Sequence, residues 1–113
     1  MTDTQQNRLY LTHNFFTQSS GDFHLGDFQG YKDVSLWCEW SDLSNLDCVI
    51  KFVMKGHGSQ SEWIEIPILT KTLDTISGVC QLRNKIFSGR YVGIRIANNT
   101  EYSGILKVYI NAE

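Results

Sequence analysis

The sequence predicts an all-β fold, an antiparallel β-sandwich of about seven to eight strands, and three observations carry that prediction. Apolar residues recur with period two in one segment after another. Clusters of Gly, Asn, Asp and Ser separate those segments. No segment keeps a 3.6-residue period over the length of a helix. A jelly roll and an immunoglobulin-like sandwich both satisfy this pattern. The chain has 113 residues, enough for one domain with one hydrophobic core.

The first eight residues are polar and read as a flexible N-terminal arm, residues 1–8, ahead of a single β-sandwich domain, residues 9–113. Leu9 and Leu11 suggest a first strand. The Gly- and Asp-rich stretch SSGDFHLGDFQGYKD holds a short strand near residues 23–25. VSLWCEWS then alternates clearly. Val34, Leu36, Cys38 and Trp40 share one face, and Ser35, Trp37, Glu39 and Ser41 share the other. In CVIKFVMK, Cys48, Ile50, Phe52 and Met54 point inward, while Val49, Lys51, Val53 and Lys55 face solvent. GHGSQS, residues 56–61, is a hairpin loop whose glycines allow tight turning. EWIEIPIL returns as a strand, and Pro67 marks an edge, a bulge or the strand's end. The best helical candidate, residues 70–76, is short and rich in threonine. Residues 79–82 form a short strand. Val92, Ile94 and Ile96 point inward, as do Leu106, Val108 and Ile110 of the closing segment. The expected core unites Leu36, Cys38, Trp40, Ile50, Phe52, Ile94, Ile96, Val108 and Ile110.

Composition narrows the function. Ten Lys and Arg against twelve Asp and Glu leave a net charge of −2, which disfavours a nucleic-acid partner, since such binding needs concentrated positive charge. No apolar run approaches the ~20 residues of a membrane span, so no membrane partner is expected. The opening MTDTQQNRLY lacks the basic and apolar regions of a signal peptide and predicts synthesis in a cytoplasm. Cys38, Cys48 and Cys80 form an odd set without a CxxC pair, and are expected to be free thiols acting as small hydrophobes.

Catalytic chemistry finds little support. His13, His24 and His57 are the only histidines, and none lies in a recognised nucleophile motif. His57, between two glycines, reads as a solvated turn residue. Asp22, His24 and Asp27 lie close in sequence, yet two or three loop ligands fall short of a calcium or zinc set. Glu39, Asp47, Glu62 and Glu65 offer carboxylates, but a domain this small leaves little room for a glycosidase cleft. GHGS lacks the ending of a phosphate loop, and Asn98-Asn99-Thr100 reads as a turn. The expectation is therefore a non-enzyme, with no cofactor and no metal.

The aromatic residues say more. If the even positions face the core, Trp37, Trp63, Tyr91 and Tyr109 lie on the other side, where rings suit a protein interface or sugar stacking. Phe15 and Phe16 follow the first strand, and one or the other is expected to anchor the N-terminal segment on a neighbouring subunit, with Trp37 as the receiving surface. Pro67, Lys51, Lys55 and Lys107 are expected to guard the sheets against unwanted edge pairing.

Two stretches carry a family likeness, LDCVIKFVMKGHGSQSEWIEIP at residues 46–67 and FSGRYVGIRIANNTEYSGILKVYINA at residues 87–112. They resemble small β-sandwich structural proteins of tailed bacteriophages, both capsid-decorating and tail-associated. The motifs describe a hairpin and a closing strand pair. Their likeness implies a virion structural or accessory protein that acts through subunit–subunit contacts. It further implies a homo-oligomer with other virion proteins as partners, made in the host bacterial cytoplasm and located in the virion. The alternative is a carbohydrate-binding β-sandwich module that meets glycans through exposed aromatics.

Overall fold

The structure, a computed structural model, describes residues 5–15, 20–56, 62–97 and 103–113, without the side chains of residues 5–7 and 67. The described residues form eight strands: β1 (Gln5–Asn14), β2 (Gly21–Asp27), β3 (Val34–Ser41), β4 (Cys48–Lys55), β5 (Ile64–Leu73), β6 (Gly78–Asn84), β7 (Tyr91–Ala97) and β8 (Ile105–Ala112). They make two four-stranded sheets. Sheet A has the order β1-β8-β3-β6 and sheet B the order β2-β7-β4-β5.

The pairing is nested. β1 pairs with β8, β2 with β7, β3 with β6 and β4 with β5, always antiparallel. The chain is thus one long hairpin folded over on itself, with the β4–β5 connection at its apex. Pairings of β8 with β3 and β7 with β4 complete the two sheets. This strand order is that of a jelly roll, which decides between the two sandwich topologies.

All nine residues expected in the core are buried in one cluster. Alternation explains why. In β3, β4, β7 and β8 the apolar residues of one parity meet those of the opposite sheet, and close packing between the layers excludes water.

Other expectations change. β1 starts at Gln5, inside the stretch assigned to an arm, and pairs along its length with β8. Residues 70–73 belong to strand β5 rather than a helix, and the rest of that candidate lies in the β5–β6 connection. Threonine's branched Cβ favours this extended backbone. β7 and β8 lie in different sheets, so the C-terminal motifs are not a strand pair. Pro67 does sit on an edge strand, within an irregular stretch. Between the pairs Lys51–Thr70 and Val53–Glu65, β4 advances two residues while β5 advances five. The extra length accommodates a residue that cannot donate to a ladder. Lys51, Lys55 and Lys107, however, lie on the inner strands β4 and β8 and guard no edge.

Candidate functional site

The four outward aromatics do not form one row. The sheets divide them into two pairs on opposite sides of the sandwich.

On sheet B, Trp63 precedes β5 and folds back across the sheet. Its ring lies over Gly93, where an added Cβ would sit 2.9 Å from the ring and 2.7 Å from the Phe23 carbonyl oxygen. Only glycine leaves room for that approach. Lys55 Nζ stands 4.5 Å from the Trp63 ring centroid, a cation–π contact. His24 touches both Trp63 and Tyr91, with ring centroids 5.9 and 5.6 Å away, and the Arg90 guanidinium lies 4.9 Å from the Tyr91 ring. Val53, directly opposite Gly93, is fully buried although its parity places it on the outer face. The expectation of a solvent-facing Val53 fails because period two assigns a face and takes no account of what covers it.

Charges occupy the neighbouring row. Arg95 Nε reaches Asp22 at 2.6 Å, and its Nη1 reaches Glu65 Oε1 at 2.6 Å, where Lys51 Nζ also arrives at 3.1 Å. Lys51 and Arg95 hold the Glu65 carboxyl below its ordinary range. Asp27 is lowered too, first by the Gln29 backbone N–H and then by Arg90, whose Nε lies 3.0 Å away. Asp22, His24 and Asp27 therefore do not converge on a cation: both carboxylates bind arginines and the imidazole packs among rings. Among the described residues no group of three or more His, Cys, Asp or Glu side chains could hold a metal ion.

On sheet A the outward row is different. Tyr109 lies opposite both Leu9 and Trp37, and Trp37 also lies opposite Gln81, so the row Leu9–Tyr109–Trp37–Gln81 crosses all four strands. The Trp37 Nε1–H donates to Glu39 Oε1 at 3.0 Å, which fixes the indole on the face. An open depression of about 610 Å³ is lined by Trp37, Glu39, Gln81, Tyr109 and Asn111. Exposed apolar groups flank it: Leu9 keeps 48% of its surface open, and Val79 and Ile105 are also exposed. Two half-buried rings with a polar border can bind by stacking and by hydrogen bonding together.

Glu39 and Asn111 were within reach of sequence reasoning, since they share parity with Trp37 and Tyr109. Leu9 and Gln81 were not, because they join the row only through the β1–β8 and β3–β6 registers.

Phe15 is not available to a neighbour. It is only 4% exposed and belongs to this chain's own core, and its backbone N–H donates to the Gly104 carbonyl at 3.0 Å. That burial corrects its expected role as an interface anchor. Phe16, the alternative anchor, and His57 lie outside the described residues. His13 is buried edge-on against Phe15 and Phe23, at centroid distances of 4.7 and 5.0 Å. Among the described residues neither of its ring nitrogens finds a hydrogen-bond partner.

No family model matches this chain, and no curated protein matches it.

Proposed function

We propose that this jelly roll is a non-enzymatic structural or accessory component of a tailed-bacteriophage particle, capsid-decorating or tail-associated, which acts through subunit–subunit contacts on the outer face of sheet A. The observation that carries this reading is the cross-strand row of Leu9, Tyr109 and Trp37, an apolar and aromatic strip that runs from the β1 edge across the outer face of sheet A. Aromatic anchors of this kind supply much of the energy at protein interfaces. The sequence likeness to phage structural proteins supports the same reading, and the jelly roll is an architecture used by viral capsid domains. The partners are further copies of the chain and other virion proteins, and the place of action is the virion after synthesis in the host cytoplasm.

Native mass spectrometry and light scattering test the proposal. The unaltered chain is expected to form a stable oligomer or to bind purified particles lacking it. The double variant Trp37→Ala/Tyr109→Ala is expected to fold, by circular dichroism, and to lose that association. An unaltered chain that stays monomeric and ignores particles overturns the reading.

One observation favours a second reading. The Glu39 carboxylate and the Gln81 and Asn111 amides border the same two rings. That combination suits a pyranose, whose apolar face stacks while its hydroxyls find acceptors and donors. Jelly rolls also serve as lectin domains. Saturable glycan binding by a monomer, abolished by Trp37→Ala, would establish this alternative.

A further inference from the structure

We propose that Cys38 and Cys80 form a dithiol site that closes to a cross-strand disulfide by exchange with a small-molecule disulfide of the glutathione type. The two residues are directly opposite in the β3–β6 register. Both face inward: Cys38 is fully buried, and Cys80 is partly buried against the same core. The register therefore sets the two side chains next to each other on the inner face of sheet A. Opposed residues in an antiparallel pair have Cα atoms about 4.5 or 5.5 Å apart, and both spacings lie within the range a disulfide spans. Their Cβ atoms ordinarily stand about 4.5–5.5 Å apart, slightly more than a relaxed disulfide allows. Cys80 is partly exposed, and an exposed disulfide is more easily reduced than a buried one, which suits a reversible site.

The two thiols differ in a way that orders the steps. Cys80 lies on β6, an edge strand of sheet A, and is partly open to solvent. Its hydrogen bond with Cys38 lowers its thiol pKa, and the Lys71 ammonium on β5 adds to this, against the opposing effect of burial. Cys38, on an inner strand, is raised by that same hydrogen bond and by burial. The Cys80 thiolate attacks one sulfur of the reagent, forming a mixed disulfide and releasing one thiolate. Cys38 then loses its proton and attacks the Cys80 sulfur, releasing the second. Two cysteine thiols and one small disulfide become one protein disulfide and two small thiols, so atoms and electrons balance.

Cys48 is an internal control. It is fully buried on β4, and burial, with Asp47 nearby, pushes its thiol up to about 12.

The test treats the reduced, full-length chain with glutathione disulfide under native conditions, then alkylates after unfolding and measures mass by intact and peptide analysis. The expected product has lost two hydrogens, joins Cys38 to Cys80, leaves Cys48 alkylated, and reverts with dithiothreitol. Cys38→Ala is expected to stop at a glutathione adduct on Cys80, and Cys80→Ala to lose at least tenfold in reaction rate. Three unreacted thiols, a stable Cys80 adduct in the unaltered chain, or a bond that includes Cys48 would overturn the proposal. The measurement on the unaltered chain decides the matter even if a variant does not fold.

Discussion

On sheet B the ring of Trp63 lies across Gly93 with Lys55 beside it, and Tyr91 sits between His24 and Arg90. On sheet A, Trp37 and Tyr109 lie side by side across a strand pair, with Leu9 open at the end of the row. The same residue types thus serve different ends on the two faces. Sheet B supplies its rings with partners from the same chain: a glycine that admits close contact, cations that cover the π surface, and a row of arginine–carboxylate pairs. Sheet A holds its indole in place through Glu39 and leaves the surrounding strip open. An outward aromatic is a binding candidate only when its own neighbours have not already covered it. By that criterion Trp37 and Tyr109 remain candidates, and Trp63 serves the fold.

The largest expected effect comes from removing β1, which breaks sheet A while leaving every strand of sheet B in the chain. β1 buries His13 and lies against β8, and Phe15 directly after it fills the core. Deleting residues 1–16 is expected to abolish cooperative folding, seen as loss of the β signal in circular dichroism. A deletion variant that still melts cooperatively would return the segment to the status of an arm.

The next effect acts on sheet B alone. In Gly93→Ala the new methyl would meet the Trp63 ring and the Phe23 carbonyl oxygen, so ring or backbone must shift. Overpacking of this kind costs about 1–3 kcal/mol. Urea denaturation is expected to show that loss together with altered tryptophan fluorescence. An unchanged midpoint would mean that Trp63 is not held against Gly93.

Acid separates the faces from the core. Burial lowers the His13 pKa below its ordinary 6.5, so the unfolded chain takes up a proton more readily than the folded one. His13 therefore leaves stability intact above pH 6.5 and reduces it as the pH falls from there toward the folded pKa. The lowered Asp27, Asp33 and Glu65 carboxyls act only at more acidic pH, below their ordinary values of 3.8 to 4.5. Denaturation midpoints are expected to fall between pH 7.5 and 5.5 in the unaltered chain and to stay level in His13→Phe. Equal slopes in both would remove His13 as the cause.

The smallest effect on stability is expected at Trp37. Its ring rests on the outer face, so Trp37→Ala should cost on the order of 1 kcal/mol or less. Association measured by light scattering should nevertheless weaken. A large loss of stability with association unchanged would reverse the contrast between the faces.

The sequence by itself determined the all-β class and the inward parity of the central strands. Period two is a property of extended backbone, so Leu36, Cys38 and Trp40, or Leu106, Val108 and Ile110, declare their common face without any knowledge of their neighbours. It also marked the β4–β5 hairpin, where Gly-rich turn chemistry joins two alternating runs. Only the tertiary structure decided the rest. Strands adjacent in sequence mostly pass from one sheet to the other, so parity within a strand cannot show that Trp37 meets Tyr109 while Trp63 meets His24. The β1–β8 register brings Leu9 to Tyr109 from one hundred residues away. Val53 is buried despite its outward parity, and Phe15 is drawn into the core by a strand whose sequence reads as largely polar. In each case the deciding quantity is which distant backbone lies alongside, and that is set by the packing of two whole sheets rather than by any local pattern.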